Sequence, residues 1–300
     1  MKKSNILAIA ALFLTAAIWG LSYSAQAEAM KNIAPLSFVS LRYFLGVLVL
    51  LPLILFKKKK IEKSLMVSGA VCGVCLAGGE ILQQFGLLYT TAGKAGFLTA
   101  LYVIMIPVIE VFFRRKSSRL IWIASVLSVV GAYFLCSDGS ITKIGNPGDI
   151  MMIICALFFA FQFIAIAKFA PEADAFSLAA VQFLTVALIS GAAALIAGEK
   201  CDFSNISGAV TPILYCGIIA IGFACTVQVA AQKYVHPATA SIILSTASVF
   251  AVLWGMMILH EKYSLLNLVG CVILFAATVI VQLPCANSEA MEKDCVTNKK

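Results

Sequence analysis

The sequence predicts an all-α integral membrane protein: ten transmembrane helices arranged as two inverted five-helix repeats. Three observations lead there. The composition is too apolar for water, the apolar residues fall into ten membrane-length segments, and the second half of the chain repeats the first. Hydrophobic residues make up 62% of the chain and charged residues 12%, with a mean hydropathy of +1.00. A soluble domain is roughly 45–50% apolar and about 25% charged. No single core hides such an excess, so the solvent has to be lipid.

A helix needs about 20 apolar residues to cross the hydrocarbon. The candidates are, approximately, 6–26, 35–56, 65–88, 92–113, 120–137, 148–169, 175–198, 209–231, 238–259 and 265–284. Short loops between them hold most of the Gly, Pro, Asn, Asp and Lys, and none is long enough to fold alone. The tail from Ala286 is polar and reads as disordered. The first span imitates a signal peptide, with Lys2-Lys3 before it and Ala25-Gln26-Ala27 as an A-x-A cleavage site. The internal repeat argues for keeping it. At an offset of 140, Ala16, Ala25 and Ala27 fall on Ala156, Ala165 and Ala167, and Trp19 falls on Phe159.

The same offset places Ser37 on Ser177 and Leu48 on Leu188. Further on, residues 84–135 match 229–280 at an offset of 145, with Tyr89 on Tyr234, Ala95 on Ala240, Leu120 on Leu265 and Ala132 on Ala277. The change in offset is expected as a five-residue insertion near 199–207. The expected units are therefore 1–140, 146–284 and a polar cytoplasmic tail over 285–300. Five spans is an odd number, so the second unit enters the membrane inverted.

Charge gives an independent indication. With the N-terminus in the cytoplasm, sixteen of the 22 basic residues fall on the inner side. They are Lys2, Lys3, the lysines at 57–60, Lys63, Arg114, Arg115, Lys116, Arg119, Lys168, Lys233, Lys293, Lys299 and Lys300. Five (Lys31, Lys94, Lys143, Lys200 and Lys262) fall outside, and Arg42 lies within a span. That bias predicts a multi-pass protein of the cell membrane with both termini cytoplasmic. The net charge of +8 thus encodes topology and predicts no nucleic-acid partner. The 57–60 run reads first as a topology anchor, with acidic lipid as the other reading.

Polar groups inside a span are costly unless they face a cavity or a partner, so they form the candidate functional set. Glu80 sits mid-span in Gly78-Gly79-Glu80-Ile81-Leu82-Gln83-Gln84, with Gln83 and Gln84 three and four residues on, along one helix face. Gln83 maps onto Gln228, but Glu80 maps onto Cys225. Burial disfavours the charged form of a carboxyl, which suits reversible protonation or pairing with a substrate cation. Arg42, whose repeat partner is Gln182, either snorkels to the interface or meets a carboxylate or an anion. Trp19, Tyr23, Tyr102 and Gln162 would line a mainly aromatic small-molecule site, though each taken alone reads as packing.

Ser241, Ser245 and Ser248 form a polar stripe that also fits close helix packing. Pro107 frees the carbonyl of Val103 and suggests either a kink suited to gating or a tolerated bend. Glu28 and Glu110 are expected at wet span ends, and Asn205-Ile206-Ser207 fits a glycosylation sequon. Of ten Cys, eight fall within or beside apolar spans and read as small core residues. Cys72-x-x-Cys75 has no second pair, so no metal is expected. With no Walker-type phosphate loop, no metal-spaced His cluster and no nucleophile–base pair, neither an enzyme nor a cofactor is expected.

Trp19-Gly20, Leu41-Arg42-Tyr43, the Leu88-Tyr89-Thr90-Thr91-Ala92 junction before a Pro-bearing span, and His260-Glu261-Lys262-Tyr263-Ser264 with Asn267-Leu268-Val269-Gly270 are similar to a family. Over about 5–285 the chain resembles the EamA-type transporters of the drug/metabolite transporter (DMT) superfamily. Two features depart from that pattern. Lys116-Ser117 stands where an acidic–basic pair is usual, and Val252 where a second Pro is usual. The resemblance implies a central cavity lined chiefly by spans 1, 3, 4, 6, 8 and 9, with Arg42 on span 2 peripheral. It also implies export of amino acids, amines, drugs or other metabolites. Trp19, Tyr23, Glu80, Gln83, Tyr102, Gln162 and Gln228 are the expected substrate residues, Glu80 the coupling residue, and Arg42 and Pro107 ion-pair or gating residues. The expected partners are a small metabolite and the bilayer, with a homodimer left open. An uncoupled facilitator of the same fold is the alternative, and a non-transporting scaffold is a further one.

Overall fold

The structure is a computed structural model that describes residues 3–57, 62–90, 92–113, 117–135, 146–199, 206–258 and 263–282. Most of the 57–60 lysine run, residues 114–116, Asn205, the His260-Glu261-Lys262 block and the tail lie outside the described residues, as does the side chain of Tyr23. The described residues form ten helical spans: α1 (Lys3–Ala29), α2 (Pro35–Lys57), α3 (Lys63–Leu87), α4 (Ala92–Ala100 and Tyr102–Phe112), α5 (Arg119–Leu135), α6 (Pro147–Phe169), α7 (Ala175–Ile196), α8 (Val210–Ala231), α9 (Pro237–Ser245 and Ala247–Ile258) and α10 (Leu265–Val281). Eight are long and apolar enough to cross a membrane by themselves; α5 and α10 are shorter and equally apolar. The fold is the one expected, ten transmembrane helices in two inverted repeats of five.

Local chemistry fixes the helix starts. Asn146 caps α6 by accepting from the Asp149 amide at 2.8 Å, Asp149 returns the bond to the Asn146 amide, and Pro147 occupies the first turn. Ser264 and Asn267 close the same kind of box on α10. Asp174 caps α7 through the Ser177 amide at 3.0 Å. The repeat partner of Asp174 is Ala34, which has no side-chain acceptor. Glu199, beyond the end of α7, serves instead: its carboxylate accepts from the amides of Leu36 (3.2 Å) and Ser37 (2.8 Å) and from the Ser37 hydroxyl (2.8 Å).

Repeat partners pack against each other on α2 with α7, α4 with α9 and α5 with α10. On α2 and α7, Tyr43 meets its own repeat partner Phe183 edge-on, with centroids 5.8 Å apart. A residue that touches its own symmetry mate lies on the pseudo-twofold axis. On α5 and α10 the backbones close at Gly131 and Gly270; a Cβ on Gly270 would stand 2.7 Å from the Gly131 carbonyl oxygen. The apolar rim faces lipid, with Phe56 and Ile196 more than four-fifths exposed.

α4 breaks at Leu101 and α9 at Thr246, which are repeat partners at the offset of 145. Pro107 lies six residues beyond the first break, and Val252 stands in its place beyond the second. The break is therefore a property of the repeat, and the expected kink at Pro107 is not where the helix interrupts. In α8, residues Tyr215–Cys225 wind as a π-helix, widening the turns of the span that faces α1 and α2.

Candidate functional site

Between the repeats lies a cavity with a volume of about 90 Å³. Its walls pair residues related by the repeat: Trp19 with Phe159, Ser22 with Gln162, Leu76 with Ile221, Gln83 with Gln228, and Tyr102 with Ala247. Both helix breaks reach it, through Thr99, Ala100 and Tyr102 on α4 and Leu244, Ser245, Ala247 and Ser248 on α9. Discontinuous helices at a central cavity are typical of secondary-transport sites, because interrupted backbone is tolerated only where it lines protein or water.

The aromatic wall is built by specific contacts. Trp19 donates its Nε1–H to the Ala220 carbonyl of the π-helical stretch at 3.2 Å, with Thr15 bonding Ala224 (3.2 Å) and Tyr215 bonding Ile18 (2.8 Å) along the same seam. Gly20 beside Trp19 lets α1 meet the backbone of α9, where a Cβ would stand 2.8 Å from the Ala247 oxygen. Tyr102 stacks on Phe163, centroids 5.3 Å apart and planes 17° from parallel.

The charged element is Arg42 with Glu80. The Arg42 guanidinium donates Nη2–H to Glu80 Oε2, and the Tyr43 hydroxyl donates to Oε1 at 2.9 Å. Arg42 also lies over the Phe38 ring, 4.9 Å from its centroid. The Arg42 side chain is 4% exposed and Glu80 14%, so the carboxylate is the more open of the two. Arg42 was expected at the periphery. It stands in the cavity wall because α2 packs on α7 at the pseudo-twofold axis and turns this face inward. A buried pair gives little net stability, because desolvation offsets the attraction, so its presence in a cavity wall fits a role in binding. The second repeat carries no such charges: Gln182, Phe183 and Cys225 stand at the positions of Arg42, Tyr43 and Glu80.

The structure brings Trp19, Arg42, Glu80, Gln83, Tyr102, Gln162 and Gln228 to one cavity. Gln84 turns away and donates to Gln26 Oε1 at 2.5 Å, joining α3 to α1. Pro107 and Ser241 are buried outside the lining, whereas Ser245 and Ser248 are in it. Sequence reasoning missed Ser22, Gln26, Tyr43, Thr99, Phe159, Phe163 and Gln182 as lining residues. The repeat offsets could have flagged several: Ser22 is the partner of Gln162, Phe159 of Trp19 and Gln182 of Arg42.

Glu110 is corrected as well. It is 1% exposed, accepts from Ser117 at 2.9 Å and faces His236 Nε2 at 3.3 Å, because the α4 end folds against the start of α9. Glu28 is exposed, as expected, and pairs with Lys31. Cys72 and Cys75 are free thiols, and no cluster suited to a metal occurs among the described residues.

The EamA-like transporter family model matches residues 6–137 and 146–283, once for each half. Over 282 residues the chain is 30% identical to an uncharacterized transporter of Archaeoglobus fulgidus, covering 91% of this chain and 84% of that one. It is 23% identical over 273 residues to the uncharacterized transporter YoaV of Bacillus subtilis, covering 86% and 90%. A solved crystal structure superposes with a TM-score of 0.79 at 16% identity, over 92% of this chain and 98% of the other, a likeness of fold alone.

Proposed function

Because the chain belongs to the EamA-like transporter family, we propose that it is a secondary transporter that carries small metabolites, such as amino acids, amines or drugs, by alternating access, in the direction of export. It is a multi-pass membrane transporter and not an enzyme. The observation that carries the finer reading is the position of the cavity. It lies on the seam between inverted repeats and takes its lining from both, so rocking one repeat against the other would expose the same residues to each side in turn. The charge bias supports the cell membrane as its location, with both termini in the cytoplasm. A homodimer in that membrane is an arrangement that cross-linking would test.

Glu80 is the candidate for proton coupling or for holding a substrate cation, being the more exposed member of the buried pair. The double variant Arg42→Gln/Glu80→Gln leaves no stranded charge in the cavity wall and is expected to fold. In proteoliposomes it is expected to lose pH-driven uptake while remaining monodisperse; uptake that still follows the pH gradient removes Glu80 from the mechanism. An uncoupled facilitator of the same fold is the second reading, since Arg42 and the Tyr43 hydroxyl already partner Glu80. Accumulation above the substrate gradient excludes the facilitator, and equilibration that stops at the gradient supports it.

A further inference from the structure

We infer that the Arg42–Glu80 pair makes the cavity select solutes by net charge, admitting zwitterions and disfavouring those with one unbalanced charge. This rests on the transport reading of the same cavity and adds a selection rule to it. Arg42 and Glu80 are the only charged side chains lining the cavity among the described residues, and they sum to zero. A cation that takes Glu80 from Arg42 leaves the guanidinium, 4% exposed, as a buried charge without a partner. An anion that draws Arg42 off Glu80 leaves the carboxylate with the Tyr43 hydroxyl alone. A zwitterion exchanges both partners at once: its cationic group faces Glu80, its anionic group faces Arg42, and no charge is left alone.

Two further observations provide the seat for the anionic end. Arg42 Nε and Gln182 Nε2 are buried donors with no hydrogen-bond partner, and both residues line the cavity, 3% and 1% exposed. Unpartnered buried donors are costly, and a carboxylate that reaches them as the Arg42–Glu80 pair opens would satisfy them. Gln182 is the repeat partner of Arg42, so the two donors flank the pseudo-twofold axis marked by Tyr43 and Phe183. The charges belong to the first repeat only, which orients the charged end of a solute toward α2 and α3. Its apolar part is left to the Trp19 and Phe159 side.

The test measures thermal stabilisation of the purified protein in detergent. The probes are two carbon skeletons, each in four charge forms: leucine, isoamylamine, 4-methylpentanoate and 4-methylpentanamide; and phenylalanine, phenethylamine, 3-phenylpropanoate and 3-phenylpropanamide. A bound solute raises the unfolding temperature with the logarithm of its concentration relative to Kd. The zwitterion is expected to act at a concentration on the order of a hundredfold below that of the matched cation or anion. In the double variant Arg42→Gln/Glu80→Cys, which copies the second repeat, that advantage is expected to vanish while the amide binds at least as well. Equal stabilisation by all charge forms, an advantage that survives in the double variant, or no stabilisation by either zwitterion overturns the proposal. Failure of the transport reading looks different: the zwitterion binds with the predicted preference, yet proteoliposomes show no flux of it.

Discussion

Breaking the buried pair one residue at a time should cost more than removing it whole. Glu80→Gln leaves the Arg42 guanidinium, 4% exposed and with its Nε already unpartnered, as a lone charge in a low-dielectric wall. Stranding one partner of a buried pair costs about 3–5 kcal/mol. Arg42→Gln is milder, because Glu80 is 14% exposed and keeps the Tyr43 hydroxyl. Arg42→Gln/Glu80→Gln removes both charges and should recover roughly 2 kcal/mol or more of the Glu80→Gln loss. At about 2 °C per kcal/mol for a chain of this size, Glu80→Gln is expected to unfold some 6–10 °C early. The assay is thermal unfolding in detergent, read by intrinsic fluorescence, for the wild type, both single variants and the double variant. Losses that simply add in the double variant would refute the reasoning, as would a Glu80→Gln variant as stable as the wild type.

Three further outcomes follow from the packing. Gly270→Val forces a side chain into backbone on the α5–α10 contact and should destabilise by about 1–3 kcal/mol, read as a lower unfolding temperature. Glu199→Ala removes the acceptor of three hydrogen bonds at the start of α2 and should cost about 1–2 kcal/mol, whereas Glu199→Gln should keep part of it; both are read by thermal unfolding. Pro107→Ala should leave the break at Leu101 intact and transport nearly unchanged, because α9 breaks at Thr246 with Val252 in the equivalent place; a large loss of uptake would contradict this.

The fold was legible because lipid forces a simple code: apolar runs of membrane length, and a repeat that can be counted residue by residue. The cavity was legible where polarity is expensive. Glu80, Gln83, Gln162 and Gln228 stand out of apolar spans, and all four reach the cavity. Arg42 was read as peripheral because its depth in the span is ambiguous from sequence, and only the contact of α2 with α7 turns it inward. Glu110 looked wet for the opposite reason: its place near a span end says nothing of His236, 126 residues later, closing over it. Pro107 lies within the Tyr102–Phe112 stretch, six residues beyond the break at Leu101. Proline is visible in a sequence, whereas a break shared by two repeats appears only when the backbones are compared. The trans cap of α2 by Glu199 was equally invisible, because it joins residues 162 apart.

A cavity between the repeats that carries solutes across the membrane must exchange them. Solute exchange tests this most directly. Proteoliposomes loaded with an unlabelled metabolite extract are offered the same extract uniformly labelled with carbon-13, and the trapped label is identified by mass spectrometry. A small set of solutes, zwitterions prominent among them, is expected to exchange faster than in protein-free liposomes, and Arg42→Gln/Glu80→Gln is expected to change which solutes exchange. Exchange no faster than in protein-free liposomes for every solute, with folded protein verified in the same vesicles, would contradict this.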